Sequence, residues 1–234
     1  MALPKIQQPL FNLTIPSTKK QVQFRPFTVK EEKILLMAQE SKDIDQIILS
    51  IKQIINNCIE DINVDELALF DMEYILIHLR AQSVGNEIEF KIKDPETEEQ
   101  IEMVLDINDI KIKEDDTHDP LIKMDEDFYI KMSYPKIDSL KKLQKVEEKD
   151  RQIAMFDMMI DCIDSVIEGE EVHKLKDSTK DEVNDFINSL GGSHINMIKK
   201  FFDTIPTLRY EKDYVRSDGV TKKFVAEGTE TFFI

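Results

Sequence analysis

The sequence predicts an α+β fold, because its strand patterns and helix patterns form separate runs along the chain. Alternating apolar residues near both ends predict a β-hairpin at each end. Apolar residues at helical spacing predict helices after the first hairpin and before the last one, with short antiparallel strands between them. Such segregated runs favour α+β over a doubly wound α/β sheet. With 234 residues, of which 41% are hydrophobic, the chain is long enough to bury a core.

The first hairpin is predicted from Leu10–Ile15 and Gln21–Phe24, which alternate apolar and polar residues on either side of Pro16–Lys19. Thr28 and Glu31 have the spacing of a capping box and predict a helix that runs to about Gln39. We expect the apolar face of this helix to lie in the core and its edge at residues 30–33 to be solvated.

Two further helices follow in the sequence. Asp43 is a predicted N-cap, and the second helix has one continuous apolar stripe, formed by Ile44, Ile47, Ile48, Ile51, Ile54, Ile55, Cys58 and Ile59. The third helix is predicted from about Asp65 to Ser83, with Gly85 as its C-cap. We expect replacement of Ile48 or Ile51 by Asp to unfold this helical unit, because it would bury a charge.

The middle of the chain is predicted to be rich in β-strands. Ile88, Phe90 and Ile92 alternate before the turn signal at residues 94–97. Further short strands are predicted at residues 110–112, 121–124 and 128–132, and a charged helix at 136–149. The polar and acidic segment 113–120 is either a linker or a loop.

The last third is predicted to contain three helices and a hairpin. The first helix runs from Arg151 to Ile167 and ends near Gly169, and the second begins at the capping box of Thr179 and Glu182. Gly191–Gly192 separate it from the third, for which Ser193 is the predicted cap. The terminal hairpin turns at Asp218–Gly219, a dipeptide typical of type I′ turns.

This order of elements predicts three regions, although they could also form one continuous domain. Residues 1–86 would form the hairpin and the helical unit, residues 87–135 an antiparallel β region, and residues 136–234 the last helices and the C-terminal hairpin.

The formal net charge of −16 argues against nucleic-acid binding, which depends on concentrated Lys and Arg. It indicates either a surface adapted for solubility or one that attracts basic partners. Because the sequence has no export signal and no apolar run of about 18 residues, we expect no membrane association and a soluble, cytoplasmic protein. Cys58 and Cys162 lie in apolar patterns and are expected to fill the core.

No motif predicts catalysis, a metal or a cofactor. The six glycines form no phosphate-binding loop, and the four histidines and two cysteines form no metal-ligand spacing. The acidic stretch from Asp115 to Glu126 has part of a calcium-loop pattern, but Pro120 stands where that loop needs glycine. We therefore expect a non-enzymatic protein without cofactors.

Several ordered blocks carry a resemblance to a known family, and they are residues 1–5, 24–27, 29–38, 70–74, 79–85, 201–206 and 227–233. Within them are Phe24-Arg25-Pro26-Phe27, Phe70-Asp71-Met72-Glu73-Tyr74 and the terminal Glu227-Gly228-Thr229-Glu230-Thr231-Phe232-Phe233. In these blocks the chain resembles the baseplate hub assembly proteins of T-even-like myophages. Some relatives in this family carry a Cys pair at the tip of the last hairpin, where this chain has Arg216-Ser217-Asp218-Gly219. Any zinc site there would be lost, and the Asp-Gly turn would hold the hairpin by itself.

The resemblance implies an assembly factor or chaperone for hub or tape-measure proteins, acting in the host cytoplasm during tail assembly. The alternative is a permanent structural subunit of the virion baseplate. In either role the partners would be other phage tail proteins. The candidate partner surface consists of Lys30, Glu31 and Lys33 on the first helix and of Phe232 and Phe233 at the C-terminus.

Overall fold

The computed structural model describes residues 6–144 and 146–227, and within them the fold is α+β, as predicted. The strands form small antiparallel sheets, and the chain divides into two compact units. The first unit comprises Met1–Lys113 and Thr207–Ile234, and the second comprises Glu114–Pro206. The chain leaves the first unit at the start of the segment that was predicted to be a linker or a loop.

The first unit begins with the predicted N-terminal hairpin of β1 (Phe11–Thr14) and β2 (Gln21–Phe24). Three helices follow, α1 (Val29–Ser41), α2 (Ile44–Cys58) and α3 (Leu69–Ser83). The Asp43 carboxylate accepts a hydrogen bond of 2.9 Å from the backbone N–H of Asp45, which confirms the predicted N-cap of α2.

Helix α3 is buried on most sides, since Phe70, Ile75 and Leu79 all lie in the core. It also buries Asp71, whose carboxylate accepts hydrogen bonds from the backbone N–H and the hydroxyl of Ser17 at 2.8 and 2.5 Å. The backbone N–H of Ala68 donates to the same carboxylate at 3.2 Å. These bonds satisfy a buried charge and fix the turn of the first hairpin to α3.

The rest of the first unit is antiparallel sheet. Strands β3 (Glu87–Lys93) and β4 (Gln100–Asp106) form one hairpin. Strands β10 (Thr207–Val215) and β11 (Thr221–Glu227) form the C-terminal hairpin, and β5 (Lys111–Lys113) pairs with β10 to give the sheet order β11-β10-β5.

The second unit is built on a four-stranded sheet of order β6-β7-β8-β9. Its strands and helices, in chain order, are β6 (Leu121–Asp125), β7 (Phe128–Met132), α4 (Ile137–Gln144), α5 (Arg151–Asp161), β8 (Ile163–Glu168), β9 (Glu171–Lys174), α6 (Lys180–Ser189) and α7 (Gly192–Asp203). Its core contains Ile130, Ile163, Ile198 and Phe201, with Cys162 beside them. The capping box of Thr179 and Glu182 is confirmed at the start of α6.

The helix predicted for residues 151–167 is wrong in its second half. Helix α5 ends at Asp161, and residues 163–168 form strand β8, which lies between β7 and β9. The apolar spacing of this segment continues at a helical period with no glycine or proline before Gly169, so the local pattern does not reveal the change. Pairing with two neighbouring strands decides it, because tertiary contacts override local preference.

The structure differs from the predictions in two further ways, one at a helix cap and one in the pairing of strands. The cap of α7 is Gly191 and not Ser193, and the backbone N–H of Gly191 donates to Nδ1 of His194 at 3.2 Å. The strands predicted in the middle of the chain exist, but they belong to three different sheets, since β3 and β4 pair together, β5 joins β10, and β6 and β7 join β8. The three-region division predicted above therefore follows the order of the elements along the chain, whereas the compact units do not.

Candidate functional site

The candidate residues on helix α1 do not share one environment. Lys30 and Lys33 are exposed, whereas Glu31 retains only 1% of its accessible surface. The expectation of a solvated edge is therefore wrong for Glu31 and correct for the two lysines. The buried carboxylate needs compensating partners, since burial disfavours an ionised group.

Glu31 obtains these partners from three directions. Its Oε1 accepts from Nη2 of Arg25 at 3.1 Å and from Nδ2 of Asn57 at 3.4 Å. Its Oε2 accepts from the backbone N–H and the hydroxyl of Thr28 at 2.8 and 2.6 Å. The carboxylate thus joins the segment after β2, the start of α1 and the end of α2.

The pKa of Glu31 reflects this arrangement. Burial alone would raise it, but the hydrogen bonds from Arg25 and Thr28 together with the charge of Arg25 lower it to about 2. The carboxylate is therefore ionised at neutral pH and holds the first turn of α1 in a fixed orientation. The half of the predicted capping box in which Glu31 reaches back to Thr28 is confirmed.

This anchoring turns a partly apolar face of α1 outward. Ala38, which lies seven residues after Glu31, is the buried apolar residue of the helix, whereas Val29, Leu36 and Met37 keep 65%, 54% and 72% of their accessible surface. The expectation that the apolar face of this helix lies in the core is correct for one part of that face and wrong for the other. Ile34 and Leu35 are half-buried on the same side as Ala38 and Glu31, whereas Leu36 and Met37 face outward.

The exposed positions form one continuous stripe along the helix. At 3.6 residues per turn, Val29, Lys33, Leu36, Met37 and Glu40 lie on the same side, opposite Glu31 and Ala38. We call these five residues the outer stripe of α1. Sequence reasoning found Lys33 but missed Leu36 and Met37, although a helical projection centred on Glu31 would have placed them outward.

The other two candidate residues, Phe232 and Phe233, lie outside the described residues.

A second cluster of polar residues lies at the tip of the C-terminal hairpin. The Arg216 guanidinium contacts carboxylates of Glu96 and Asp218, both at 2.8 Å, and of Asp94 at 3.7 Å. The hydroxyl of Tyr214 donates to Asp94 at 2.6 Å. This tip network therefore joins the turn between β3 and β4 to the turn between β10 and β11.

The tip network gives Asp94 and Arg216 strongly stabilised charges. The hydrogen bond from Tyr214, followed by those from the backbone of the β3–β4 turn, lowers the pKa of Asp94 well below its usual range. Hydrogen bonds to Asp218 and Glu96 raise the pKa of Arg216. The expectation that the Asp-Gly turn holds the hairpin by itself is wrong, because residues about 120 positions away in the sequence hold it as well. No local signal could have predicted pairs of such separation.

The turn itself is not of type I′. The backbone N–H of Gly219 donates to the carbonyl of Arg216 at 2.9 Å, and Gly219 has a φ of +82°. Type I′ requires a positive φ at both central residues, here Ser217 and Asp218, and neither has one. The turn is the three-residue type, in which glycine takes the left-handed position after a type I turn.

In the second unit, His118 is a half-buried titratable group with partners on both ring nitrogens. Its Nδ1 lies 2.9 Å from the Thr204 hydroxyl and its Nε2 lies 3.0 Å from the Tyr134 hydroxyl, while its ring stacks on Tyr134 and packs against Phe201. Burial lowers the pKa of His118. Both ring nitrogens are engaged by neutral hydroxyls, so the cluster ties the segment before β6 to the end of α7.

Two clefts lie in the described part of the first unit. One, of about 260 Å³, lies beside the tip network, and another, of about 330 Å³, lies beside β2 and the end of α2. Over residues 6–144 and 146–227 no three His, Cys, Asp or Glu side chains are placed to hold a metal ion. In the same part of the chain, no helix has the length and apolar character of a membrane span.

Comparison with known proteins identifies a family for this chain. Residues 8–234 match the family described as T4 bacteriophage base plate protein. The chain matches no curated protein and no solved structure.

The family match spans nearly the whole chain, and the protein belongs to the T4 bacteriophage base plate protein family. Its expected partners are therefore other phage tail proteins, and a surface for protein contact is the kind of site to look for.

Proposed function

We propose that this protein is a non-enzymatic component of baseplate hub assembly, which acts as an assembly factor or chaperone for hub or tape-measure proteins. Membership in a phage base plate family carries the proposal. The blocks of sequence that resemble hub assembly proteins support the finer assignment. The acidic net charge of −16 favours partners with basic surfaces.

The outer stripe of α1 is the surface we propose for these contacts. Leu36 and Met37 present apolar side chains, and Lys30 and Lys33 lie beside them. Exposed apolar residues that form a continuous patch with a polar rim are typical of interaction sites. Because Glu31 fixes the helix, contact would require little loss of backbone freedom.

The role in assembly is tested in infected host cells in which the gene is supplied as a variant. Leu36→Glu is expected to reduce the number of complete tails by at least about tenfold, whereas Leu49→Glu is the matched control. Leu49 is a leucine on α2 that is 61% exposed and lies outside the stripe. Tails counted by electron microscopy that are equally numerous for both variants would refute the proposed surface.

The alternative is a permanent structural subunit of the baseplate, acting after assembly as well as during it. Mass spectrometry of purified particles separates the two roles. An assembly factor is expected to be absent from mature particles or present far below the stoichiometry of baseplate proteins, and stoichiometric recovery would favour the structural role. The host cytoplasm during assembly is the proposed place of action in the first case.

A further inference from the structure

The outer stripe of α1 is complementary to itself in charge and in shape. Lys33 and Glu40 carry opposite charges on either side of Leu36 and Met37, in the order Lys33, Leu36, Met37, Glu40. The midpoint between the two charges is also the midpoint between the two apolar residues. A helix surface with this symmetry matches a second copy of itself when the copy runs antiparallel.

We propose that the outer stripe of α1 docks against the same stripe of a second copy of this chain, which forms an antiparallel helix pair about a two-fold axis. With the axis at the level between Leu36 and Met37, the four apolar side chains of the two copies meet around it. In the same register Lys33 of each copy lies level with Glu40 of the other. Such a contact is isologous and closes as a dimer.

Two features of the free chain favour this occupant. Lys33 and Glu40 lie seven residues apart, about 10 Å along the helix axis, so they do not pair within one copy. In the described part of the chain neither forms an ion pair, and both are exposed. Both charges are therefore available to a partner. A partner fits them when it carries an acid opposite Lys33 and a base opposite Glu40, as an antiparallel copy of α1 does.

The length of the outer stripe limits how tightly two copies are expected to bind. From Val29 to Glu40 it is about 17 Å long at 1.5 Å per residue. A pair of helices in contact over this length buries less than the roughly 1,200 Å² of a stable interface. The net charge of −16 on each copy opposes association at low salt. We therefore expect a weak, reversible dimer that forms more readily at moderate salt than at very low salt.

The first test is analytical ultracentrifugation of the full-length chain over a range of concentrations. The mass is expected to rise from 27.3 kDa towards twice that value with concentration. Leu36→Glu is expected to weaken dimerisation by at least about tenfold, and Leu49→Glu is expected to leave it unchanged. A chain that remains monomeric up to about 1 mM, or an association that both substitutions leave unchanged, would overturn the proposal.

Charge reversal gives a sharper test of the register. Lys33→Glu and Glu40→Lys each place like charges opposite one another twice, so each is expected to weaken the dimer. The double variant Lys33→Glu/Glu40→Lys restores both pairs in the opposite sense and is expected to regain most of the affinity. A double variant no stronger than the single ones would rule out this antiparallel register.

This inference rests on the surface that the proposed function also uses, so the weak dimer would have to dissociate before the stripe contacts another tail protein. The two proposals can fail separately. If the chain stays monomeric but Leu36→Glu still prevents tail assembly, the stripe binds another tail protein and the self-pairing is wrong. If the chain dimerises through the stripe but Leu36→Glu supports normal tails, the self-pairing stands and the proposed role of this surface in assembly is wrong.

Discussion

Glu31 shows how one buried charge can be held at the start of a helix. Its carboxylate has five hydrogen-bond donors, two from the Arg25 guanidinium, two from the backbone and hydroxyl of Thr28, and one from Asn57. A buried ion pair is weak evidence for added stability, because desolvation offsets much of the attraction. Removal of one partner of the pair nevertheless destabilises the fold, since the other partner stays at least partly buried without an opposite charge.

Replacement of Glu31 by Gln tests this role at pH 7. The amide keeps the shape of the side chain but loses the charge that Arg25 and Thr28 contact, so we expect the free energy of unfolding to fall by about 2 kcal/mol. Urea denaturation followed by circular dichroism measures the change. The matched control is Glu32→Gln on the exposed side, expected to change stability by less than about 0.5 kcal/mol. Equal effects of both substitutions would contradict the anchoring role.

The stability difference between the native chain and Glu31→Gln is expected to depend on pH. The pKa of Glu31 is lowered from 4.5 to about 2 in the folded chain. Its contribution to stability is therefore fully present above pH 4.5 and is lost as the pH falls towards 2. The stability difference between the native chain and Glu31→Gln, measured by urea denaturation, is expected to shrink between pH 4.5 and 2. A difference that stays constant over this range would show that the carboxylate is not held ionised.

Arg216 has a comparable role in the tip network. We expect Arg216→Ala to loosen both turns that it joins, because Asp94 and Asp218 would lose the cation between them, while Glu96 would keep only its contact with Lys222. Hydrogen exchange measured by mass spectrometry should then rise severalfold in residues 93–100 and 215–221. Lys91→Ala is the control, since Lys91 forms an exposed ion pair with Glu102 on the same β3–β4 hairpin. If the control loosens the turns equally, the tip network is not what holds them.

At the scale of elements, α2 and α1 are oriented by different forces. Helix α2 buries Ile48, Ile54 and Ile55 on one stripe, as its sequence pattern predicts. Helix α1 has a weaker apolar inner side, where Ile34 and Leu35 are only half-buried beside Ala38, and Glu31 adds an ion pair with Arg25 there. Burial of an isoleucine side chain contributes about 2 kcal/mol, so α2 is the element on which the helical unit depends.

Substitution on this stripe tests the role of α2. Ile48 keeps 1% of its surface, so Ile48→Asp would place a carboxylate in an apolar core, and we expect the first unit to lose its folded structure. Ile51 is only half-buried, and its replacement by Asp should be less severe. Thermal unfolding followed by circular dichroism gives the comparison, with Gln53→Asp on the exposed side of α2 as the control. Native-like melting of Ile48→Asp would contradict the packing described for α2.

At the scale of the whole molecule, each of the two units buries apolar residues of its own in the part of the chain that the structure describes. One core surrounds α2 and α3 in the first unit, and the other surrounds Ile130, Ile198 and Phe201 in the second. Because each unit buries its own apolar residues, local unfolding of one need not require local unfolding of the other. A single two-state transition is therefore not the expected behaviour of this chain.

Hydrogen exchange of paired core variants tests this independence. Ile130→Asp is expected to raise exchange in β6, β7 and β8 while α2 and α3 keep most of their protection. Ile48→Asp is expected to do the opposite. If either substitution exposes both units to the same extent, the two cores unfold as one cooperative body.

The sequence by itself determined the class of fold, the existence of most helices and hairpins, and the family resemblance. Boundaries were predicted less accurately, since the helix predicted at residues 136–149 spans only Ile137–Gln144. The features that the sequence determined depend on local periodicity, on capping residues such as Asp43 and Thr179, and on ordered blocks of residues. Local patterns were sufficient there because each element forms from contacts within a few turns or one hairpin.

Only the tertiary structure decided the rest, because long-range partners determine it. Sheet pairing made residues 163–168 a strand, and carboxylates from a distant turn fixed the tip around Arg216. Contacts of Glu31 with Arg25 and Asn57, together with the half-buried Ile34 and Leu35, occupy the inner side of α1 and leave Leu36 and Met37 exposed. The helical period alone does not say which of these apolar residues face the core, because that depends on the segments against which the helix packs.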